Sequence, residues 1–479
     1  MPAAIPTRNS FSSPTISRAS KYPLSTNNTW IPGHRLEIQV LLGVQGDQMI
    51  SRRQFLTVAG AGALGIAAQR ALAVSDAHAP TRISTRDRAG AAPALAGRVV
   101  VVGGGMGGAT AARFLKLWGG AQLQVILIEK NLSYTSNILS NLVLTGQKTI
   151  PGLQYTYAQL QAIGVTVMQG EVLSINAGPR TLTLAGGQLV SYDRLVLSPG
   201  IDFDLLPGLT NYDDIVHAWQ AGPQTIRLAQ QLQAMPAGGA FVMTIPAAPF
   251  RCPPGPYERA CVVADYVQRQ KPGSKVIVLD ANPNVMAERH TFETAFNGIF
   301  ANTIEYHTGV TINSIDAATR TIDTSIGAIA GAVLNPIPPH RAGRLVRDNG
   351  LANVGGRWAG VNVLTYESTA QPFVHVIGDA SSTTQPKAGH IANAEAKVCA
   401  DAILHMMAGE PVNGAPVTNS ACYSPITATT ASWLTAIYHY DPISQTMKTP
   451  GPMEAESPSG DGFEMMGKWF TNLMKDSFG

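Results

Sequence analysis

The chain has 479 residues, 45% of them hydrophobic, which is enough for two or three domains with cores of their own. Charged residues make up only 14% and the formal net charge is +3, so a nucleic-acid role has no electrostatic support. The four cysteines form no CxxC pair and no CxxCH motif, and no His/Cys cluster predicts a metal site. Neither a zinc ribbon nor a thioredoxin motif is therefore indicated, and any haem that works with this chain has to be carried by another one.

The first 96 residues have the pattern of an export address followed by a linker. Residues 51–56 read Ser-Arg-Arg-Gln-Phe-Leu, and an apolar run rich in small residues follows from 55 to 73. This pattern predicts a twin-arginine export signal at about 49–79, hence a periplasmic protein. Because the run is so rich in Ala and Gly, no permanent membrane span is expected. We interpret residues 1–48 as an upstream extension and 80–96 as a flexible linker.

A glycine-rich segment after this linker has the pattern of a dinucleotide-binding turn. Residues 98–102 have an apolar strand pattern, residues 103–108 read Gly-Gly-Gly-Met-Gly-Gly, and residues 109–115 are a helical run. In such a unit the first glycine permits the tight turn, the second lets the backbone approach a pyrophosphate, and the third lets the helix pack on the strand. The helix N-terminus then offers free N–H groups to the phosphates. The cofactor-binding residues predicted from this unit are Gly103, Gly105, Met106, Gly107 and Gly108.

A second strand supports the same interpretation. Residues 125–128 are apolar and end in Glu129, where a carboxylate can accept the hydroxyls of a ribose. This fingerprint alone does not choose between FAD and NAD.

The far end of the chain favours FAD. Residues 373–377 form an apolar strand that ends in Gly378 and Asp379, and a helical run follows from about 389 to 407. In flavoproteins with two dinucleotide-binding domains such a strand returns to the first domain, and its Asp binds the ribityl and phosphate region of the flavin. Residues 194–200 resemble the strand by which such chains leave the FAD domain.

The middle of the chain keeps the frame of a second nucleotide-binding domain but lacks its glycine turn. Residues 240–245 and 275–280 have strand patterns, with a helix predicted from near Tyr257 to about Gln270. Between the first strand and this helix lies a loop that combines several prolines with Cys252. Proline has no N–H to offer a pyrophosphate and fixes φ. NAD(P)H is therefore not expected as the electron donor, and a thiol takes its place.

Residues 250–258 resemble the active-site loop of the flavoprotein subunit of flavocytochrome c sulfide dehydrogenases. The resemblance covers roughly residues 97–479 and includes the segments 103–108, 140–141, 337–343, 378–381, 386–389 and 422–424. It implies an α/β fold of the glutathione-reductase type, with two dinucleotide-binding domains and a C-terminal interface domain. The limits it implies are 97–205 and 333–410 for the FAD domain, 206–332 for the NADH-like domain and 411–479 for the interface domain.

The resemblance also implies a catalytic site. In that family a redox disulfide lies beside the flavin, and its cysteines match Cys252 and Cys422. A disulfide persists in an oxidising compartment, and its sulfur is an electrophile for hydrosulfide. The acid/base of the family matches Glu258, which at a helix start could equally complement the helix dipole. Cys261 and Cys399 have alanine neighbours and are expected to be core residues.

The expected activity is therefore the oxidation of sulfide to sulfur or polysulfide, with electrons passed from FAD to a c-type cytochrome. One position departs from the family pattern. Many members attach FAD through a cysteine, and residues 134–141 place Asn137 there. An amide cannot form the thioether, so FAD is expected to be bound noncovalently.

The C-terminal tail leaves other interpretations open. Apolar residues recur in it at helical spacing, namely Met466, Trp469, Phe470, Leu473 and Met474. We expect a helix docked on the body of the protein or on a partner. The alternative is an interfacial helix like those of sulfide:quinone oxidoreductases, although the tail has few cations. A non-catalytic flavoprotein redox partner is a third interpretation, which the retention of both Cys252 and Cys422 opposes.

Overall fold

The computed structural model describes residues 95–479, and the structural statements below concern these residues. The upstream extension, the predicted export signal and nearly all of the linker lie outside this part of the chain.

The first sheet is built around the valine-rich strand Gly97–Val102. Its valines have exposed fractions between 0% and 8%, as a strand covered on both faces requires. It pairs in parallel with Leu123–Glu129 on one side and with Arg194–Leu197 on the other. The distant strand Val374–Val376 pairs in parallel with Arg194–Leu197, so its predicted return to the first sheet is confirmed. The eight strands lie in the order Ser381–Ser382, Ala359–Asn362, Glu367–Ser368, Val374–Val376, Arg194–Leu197, Gly97–Val102, Leu123–Glu129 and Thr166–Gln169.

Two helices share a core with this sheet. Met106–Gly119 begins inside the glycine motif, and Gly389–Ala408 follows the segment of Asp379. Their contact is lined by small side chains, which allow the two helices to approach closely. Cys399 lies in this core and is fully buried, as expected.

The second sheet has four parallel strands. Their order is Ile304–His307, Lys275–Asp280, Ala240–Ile245 and Val333–Pro336. The helices that belong to it are Pro223–Ala234, Gly255–Gln270 and Arg289–Asn297. The helix predicted near Tyr257 begins earlier, at Gly255, because Pro256 fits the first helical turn, where its missing N–H is not needed. Cys261 on this helix is fully buried, as predicted.

Shorter elements connect and flank the two sheets. Ile201–Phe203 pairs antiparallel with His340–Ala342, where the chain passes from one sheet to the other in each direction. The other short strands are Ser133–Thr135, Gln154–Thr156, Val172–Asn176, Thr181–Leu184, Leu189–Ser191, Ile312–Asp316, Thr321–Thr324 and Gly327–Ala330. The short helices are Asn141–Leu144, Pro151–Leu153, Ala158–Ala162, Arg344–Asp348 and Gly378–Ala380.

The C-terminal part forms an antiparallel sheet followed by a helix. Its strands are Val417–Pro425, Ala431–Asp441, Thr446–Lys448 and Met453–Glu454, and the helix is Gly460–Phe478. The apolar side chains predicted to lie on one face of this helix are buried in the core of the first sheet. Near its end Phe478 stacks on Tyr134 and Tyr155, with centroid distances of 5.1 and 5.5 Å. The tail is therefore docked on the body, as expected. Within residues 95–479 no helix combines the length and apolar character needed to cross a membrane.

Candidate active site and cofactor region

The glycine motif adopts the geometry that a dinucleotide-binding turn requires. Gly103 has a φ of +96°, a conformation that side chains disfavour, and its N–H donates to the carbonyl of Ile128 at 2.9 Å. A Cβ on Gly108 would lie 1.8 Å from the carbonyl oxygen of Gly103, so only glycine lets the helix start this close to the strand. The turn therefore needs these two glycines for its own backbone.

Gly105 is different, because the protein itself does not require a glycine there. A Cβ at this position would meet only the ring of Tyr134, at an ordinary distance of 3.8 Å. The open space lies beside the N-terminus of the helix that begins at Met106, where N–H groups and the helix dipole favour phosphate. This cradle fits the pyrophosphate of FAD.

Glu129 holds the glycine turn in place. Its Oε2 accepts a hydrogen bond from the N–H of Gly104 at 2.7 Å, and its Oε1 accepts from the N–H of Asn131 at 2.9 Å. Tyr157, which the sequence did not single out, donates from its hydroxyl to the carbonyl of Gly104 at 3.1 Å. Asn131 Nδ2 donates a third hydrogen bond, to Glu129 Oε1 at 2.8 Å. A carboxylate accepts about four hydrogen bonds, so Glu129 can still accept one from a ribose hydroxyl.

Asp379 lies in the short helix Gly378–Ala380 with its Oδ1 buried and without a hydrogen-bond partner in the described residues. Burial raises the pKa of this carboxyl, while the charges of Arg251 and Lys387 lower it. Lys387 Nζ donates to the carbonyl oxygens of Asp379 and Ser381 at 2.9 and 2.7 Å. An orphaned carboxylate oxygen fits a hydroxyl donor, and the segment therefore suits a bound FAD.

Asn137 is the residue that the resemblance aligns with a flavin-linking cysteine. Its Oδ1 accepts a hydrogen bond from the N–H of Ala221 at 2.8 Å, and its carbonyl oxygen accepts from the hydroxyl of Ser140 at 2.7 Å. The side chain thus ties the first domain to the segment that leads into the second.

The proline-rich loop presents Cys252 in a constrained backbone conformation. Cys252 has a φ of +59°, in the left-handed region that non-glycine residues rarely adopt. Its N–H donates to the carbonyl of Lys387 at 2.7 Å, and its own carbonyl accepts from the N–H of Gly255 at 2.9 Å. A Cβ on Gly255 would lie 2.8 Å from the Cys252 sulfur, so glycine is needed at the start of the helix. The cysteine is therefore fixed against the segment that follows Asp379.

Cys422 lies on the strand Val417–Pro425, and both cysteines are free thiols. Burial raises the pKa of the Cys252 thiol well above its usual value, and the charge of Cys422 raises it further. The pKa of Cys422 is raised to about 12, chiefly by burial and then by Glu288. Two residues that are 170 positions apart in sequence are thus close enough to influence each other.

Glu258 lies beside this pair and is 7% exposed. Its Oε1 accepts a hydrogen bond from Asn141 Nδ2 at 2.8 Å. Burial raises the pKa of Glu258 to about 8, although the Asn141 bond and the charge of Arg259 lower it. A carboxyl group in this environment exchanges protons near neutral pH.

Arg259 completes the buried network and was not predicted from the sequence. Its guanidinium donates to Asn141 Oδ1 and Asn335 Oδ1, each at 2.9 Å, and to the carbonyl oxygen of Ala218 at 2.7 Å. Burial lowers the pKa of Arg259 to about 9, and the charge of Glu258 opposes this. Asn141 therefore bridges the carboxyl and the guanidinium. The only signal for it was an arginine that directly follows a candidate acid in the first turns of a helix.

No group of His, Cys, Asp and Glu side chains within residues 95–479 is arranged to hold a metal ion.

The two sheets, the glycine cradle and the buried Asp379 with its unpartnered oxygen define a flavoprotein with two dinucleotide-binding domains and a site for FAD. In its central part the chain resembles a narrower group. Residues 225–338 match the family profile described as "Sulfide dehydrogenase [flavocytochrome c] flavoprotein chain, central", which confirms the resemblance seen in the cysteine loop. The central part of the chain is thus similar to the flavoprotein chain of sulfide dehydrogenases.

Several known proteins resemble this chain. Ferroptosis suppressor protein 1 of Taeniopygia guttata is 30% identical over 133 residues, a match that spans 25% of this chain and 33% of that relative. The sulfide:quinone oxidoreductase of Aquifex aeolicus superposes with a TM-score of 0.67 at 15% identity, covering 80% of this chain and 92% of that one. An NAD-dependent persulfide reductase from A. fulgidus superposes with a TM-score of 0.55 at 12% identity, covering 79% and 77%. At these identities the solved structures show the shared fold alone.

Proposed function

We propose that this chain oxidises sulfide to sulfur or polysulfide through a Cys252–Cys422 disulfide, with FAD as the internal electron acceptor and a c-type cytochrome as the external one. One observation carries the proposal: the N–H of Cys252 donates to the carbonyl of Lys387, whose ammonium in turn donates to the carbonyl of Asp379. This chain of hydrogen bonds fixes the cysteine loop against the region that suits FAD. The C-terminal strand brings Cys422 to the same place.

The sulfur chemistry begins from the disulfide form of the pair. Hydrosulfide attacks one sulfur, the S–S bond breaks, and one cysteine becomes a persulfide while the other leaves as a thiolate. When sulfur is released and the disulfide re-forms, hydrosulfide has lost one proton and two electrons. Bound FAD supplies the two-electron acceptor for this change. Which of the two sulfurs is attacked is left open.

Glu258 is the proposed proton-transfer residue of this reaction. Because burial raises the pKa of both thiols, a leaving thiolate in this site is disfavoured unless a proton is close. With a pKa of about 8, Glu258 is protonated often enough at neutral pH to supply that proton, and in its ionised form it can accept one from hydrogen sulfide.

The remaining details of the proposal concern the cofactor, the partner and the compartment. We propose that FAD is bound noncovalently, since an amide stands where the family has its cysteine. The haem belongs to a separate cytochrome c, since the sequence has no CxxCH motif. The twin-arginine pattern would place both proteins in the periplasm. The sulfide:quinone oxidoreductase alternative needs an interfacial apolar face, whereas the apolar face of the tail helix is packed on the protein itself.

Anaerobic titration of the purified flavoprotein with sulfide, followed by the flavin spectrum, tests the proposal. The wild-type flavin should be bleached and should then reduce added cytochrome c. Cys252→Ser and Cys422→Ser should keep their FAD but lose this reaction, because covalent catalysis lowers the activation barrier by on the order of several kcal/mol. The matched controls Cys261→Ala and Cys399→Ala remove thiols from the two cores and should react normally. Near-normal turnover by Cys252→Ser would refute the disulfide mechanism.

A further inference from the structure

Glu288 is a second buried carboxyl group near the cysteine pair, and the mechanism above does not use it. The residue is 2% exposed and precedes the helix Arg289–Asn297 with a φ of +49°, in the left-handed region. Its Oε1 has no hydrogen-bond partner in the described residues. A buried carboxyl with a free oxygen and a strained backbone is costly, and such features cluster at functional sites.

The contacts of Glu288 place it on the face of the strand that carries Cys422. Ser424 Oγ donates to Glu288 Oε2 at 2.5 Å. Because side chains alternate along a strand, Ser424 and Cys422 lie on the same face of Val417–Pro425. Ser432, directly opposite Ser424 in the register, lies 3.3 Å from the hydroxyl of Thr291 on the helix that Glu288 precedes. The N-terminal end of this helix is thereby held against the strand that carries Cys422.

The ionisable groups around Glu288 come from three elements. They are Glu258 and Cys261 on the helix Gly255–Gln270, Cys422 on its strand, and Glu454 on the strand Met453–Glu454. Burial raises the pKa of Glu288 to about 7, with Glu454 raising it and the hydroxyls of Ser424 and Ser432 lowering it.

The two carboxyl groups act unequally on the two thiols. The charge of Glu288 raises the pKa of Cys422 more than that of Glu258 does. For Cys252 the carboxylate that raises the pKa is Glu258. Each sulfur of the pair therefore has its own carboxyl neighbour.

We propose that Glu288 is the proton-transfer partner of Cys422, as Glu258 is of Cys252, an inference that rests on the proposed disulfide function. When the S–S bond breaks with Cys422 as the leaving group, protonated Glu288 transfers its proton to the Cys422 thiolate, directly or through one water. When the disulfide re-forms, the Cys422 thiol returns this proton to the carboxylate. Ser424 holds one carboxyl oxygen, and Oε1 carries the proton.

The Glu288→Gln variant of the full FAD-loaded chain tests this assignment without any turnover. In the anaerobically reduced protein, the alkylation rate of each cysteine by iodoacetamide is followed against pH by peptide mass spectrometry. Removing the carboxylate should lower the pH midpoint for alkylation of Cys422 by about one unit. Below that midpoint, the alkylation rate of Cys422 should therefore rise about tenfold. The midpoint for Cys252 should move much less, whereas Glu258→Gln should move both. An unchanged Cys422 midpoint would overturn the proposal.

Two further variants separate this role from a merely structural one. Glu293→Gln removes a partly exposed carboxylate of the same helix, which pairs with Arg289, and should shift neither thiol. Ser424→Ala keeps the Glu288 carboxyl but removes the hydroxyl that favours its charged form. It should therefore move the higher-pH limb of sulfide oxidation, on which Glu288 loses the proton that it donates, to higher pH, and an unchanged profile would count against the proposal. If the wild type oxidises no sulfide while the Cys422 midpoint still shifts, the coupling stands and the proposed function fails.

Discussion

The substitution Glu258→Gln measures the electrostatics of the site independently of any substrate. Glu258 has a pKa of about 8 in the folded protein and an ordinary value of 4.5 when it is exposed. Between these values the folded protein keeps a proton that the unfolded chain has released. This contribution to stability is therefore fully present below pH 4.5 and is lost as pH rises towards 8. Each pH unit in that window costs about 1.4 kcal/mol.

Buried histidines have the opposite effect, and this fixes the best window for the measurement. Burial lowers the pKa of His217 to about 3 and that of His340 to about 2, from an ordinary 6.5. They stay neutral in the folded protein, so their contribution rises with pH and is complete above about 6.5. From pH 6.5 to 8 the Glu258 contribution spans 1.5 units, or about 2 kcal/mol. Glu395, with a pKa of about 8, adds a similar slope that is the same in wild type and variant.

The assay is denaturant unfolding of wild type and Glu258→Gln at pH 6.5 and pH 8. Glutamine keeps an oxygen that can accept the hydrogen bond from Asn141, and it mimics the protonated acid. The variant should lose about 2 kcal/mol less stability than the wild type between the two pH values. The control variant Glu293→Gln, which removes a partly exposed carboxylate, should show the same pH dependence of stability as the wild type. If Glu258→Gln showed the wild-type pH dependence, Glu258 would be ionised in the folded protein and could not serve as the proton donor.

Two further predictions concern the cofactor and the electron donor. Acid precipitation should leave FAD in the supernatant, because Asn137 cannot form a thioether; flavin fluorescence that stays with the denatured band would contradict this. NADH added under argon should not bleach the flavin at a useful rate, because prolines replace the glycine turn of the second domain; rapid, saturable bleaching at micromolar NADH would show that this domain binds the nucleotide productively.

The sequence by itself determined the elements whose signals are local. A glycine turn between an apolar strand and a helix can be recognised because its steric requirements involve neighbouring residues, and Gly103 and Gly108 meet those requirements in the structure. The strands Ala240–Ile245 and Lys275–Asp280 have the predicted bounds because parallel strands buried on both faces are continuous apolar runs. The replacement of the glycine turn in the second domain was also visible in the sequence, since proline has no N–H to donate to a phosphate.

Only the tertiary structure decided which side chains meet and which charges are buried. Asn141 forms hydrogen bonds with both Glu258 and Arg259, which lie more than a hundred residues later in the sequence. No local pattern encodes these contacts. Glu288 has the sequence context of an ordinary surface acid before a helix, yet the C-terminal sheet covers it. A pKa shift of this size comes from the loss of solvent and from neighbouring charges, and both exist only when distant segments have packed together. The chemistry of the cysteine pair is therefore a property of the assembled fold, although the two cysteines themselves could be identified from the sequence.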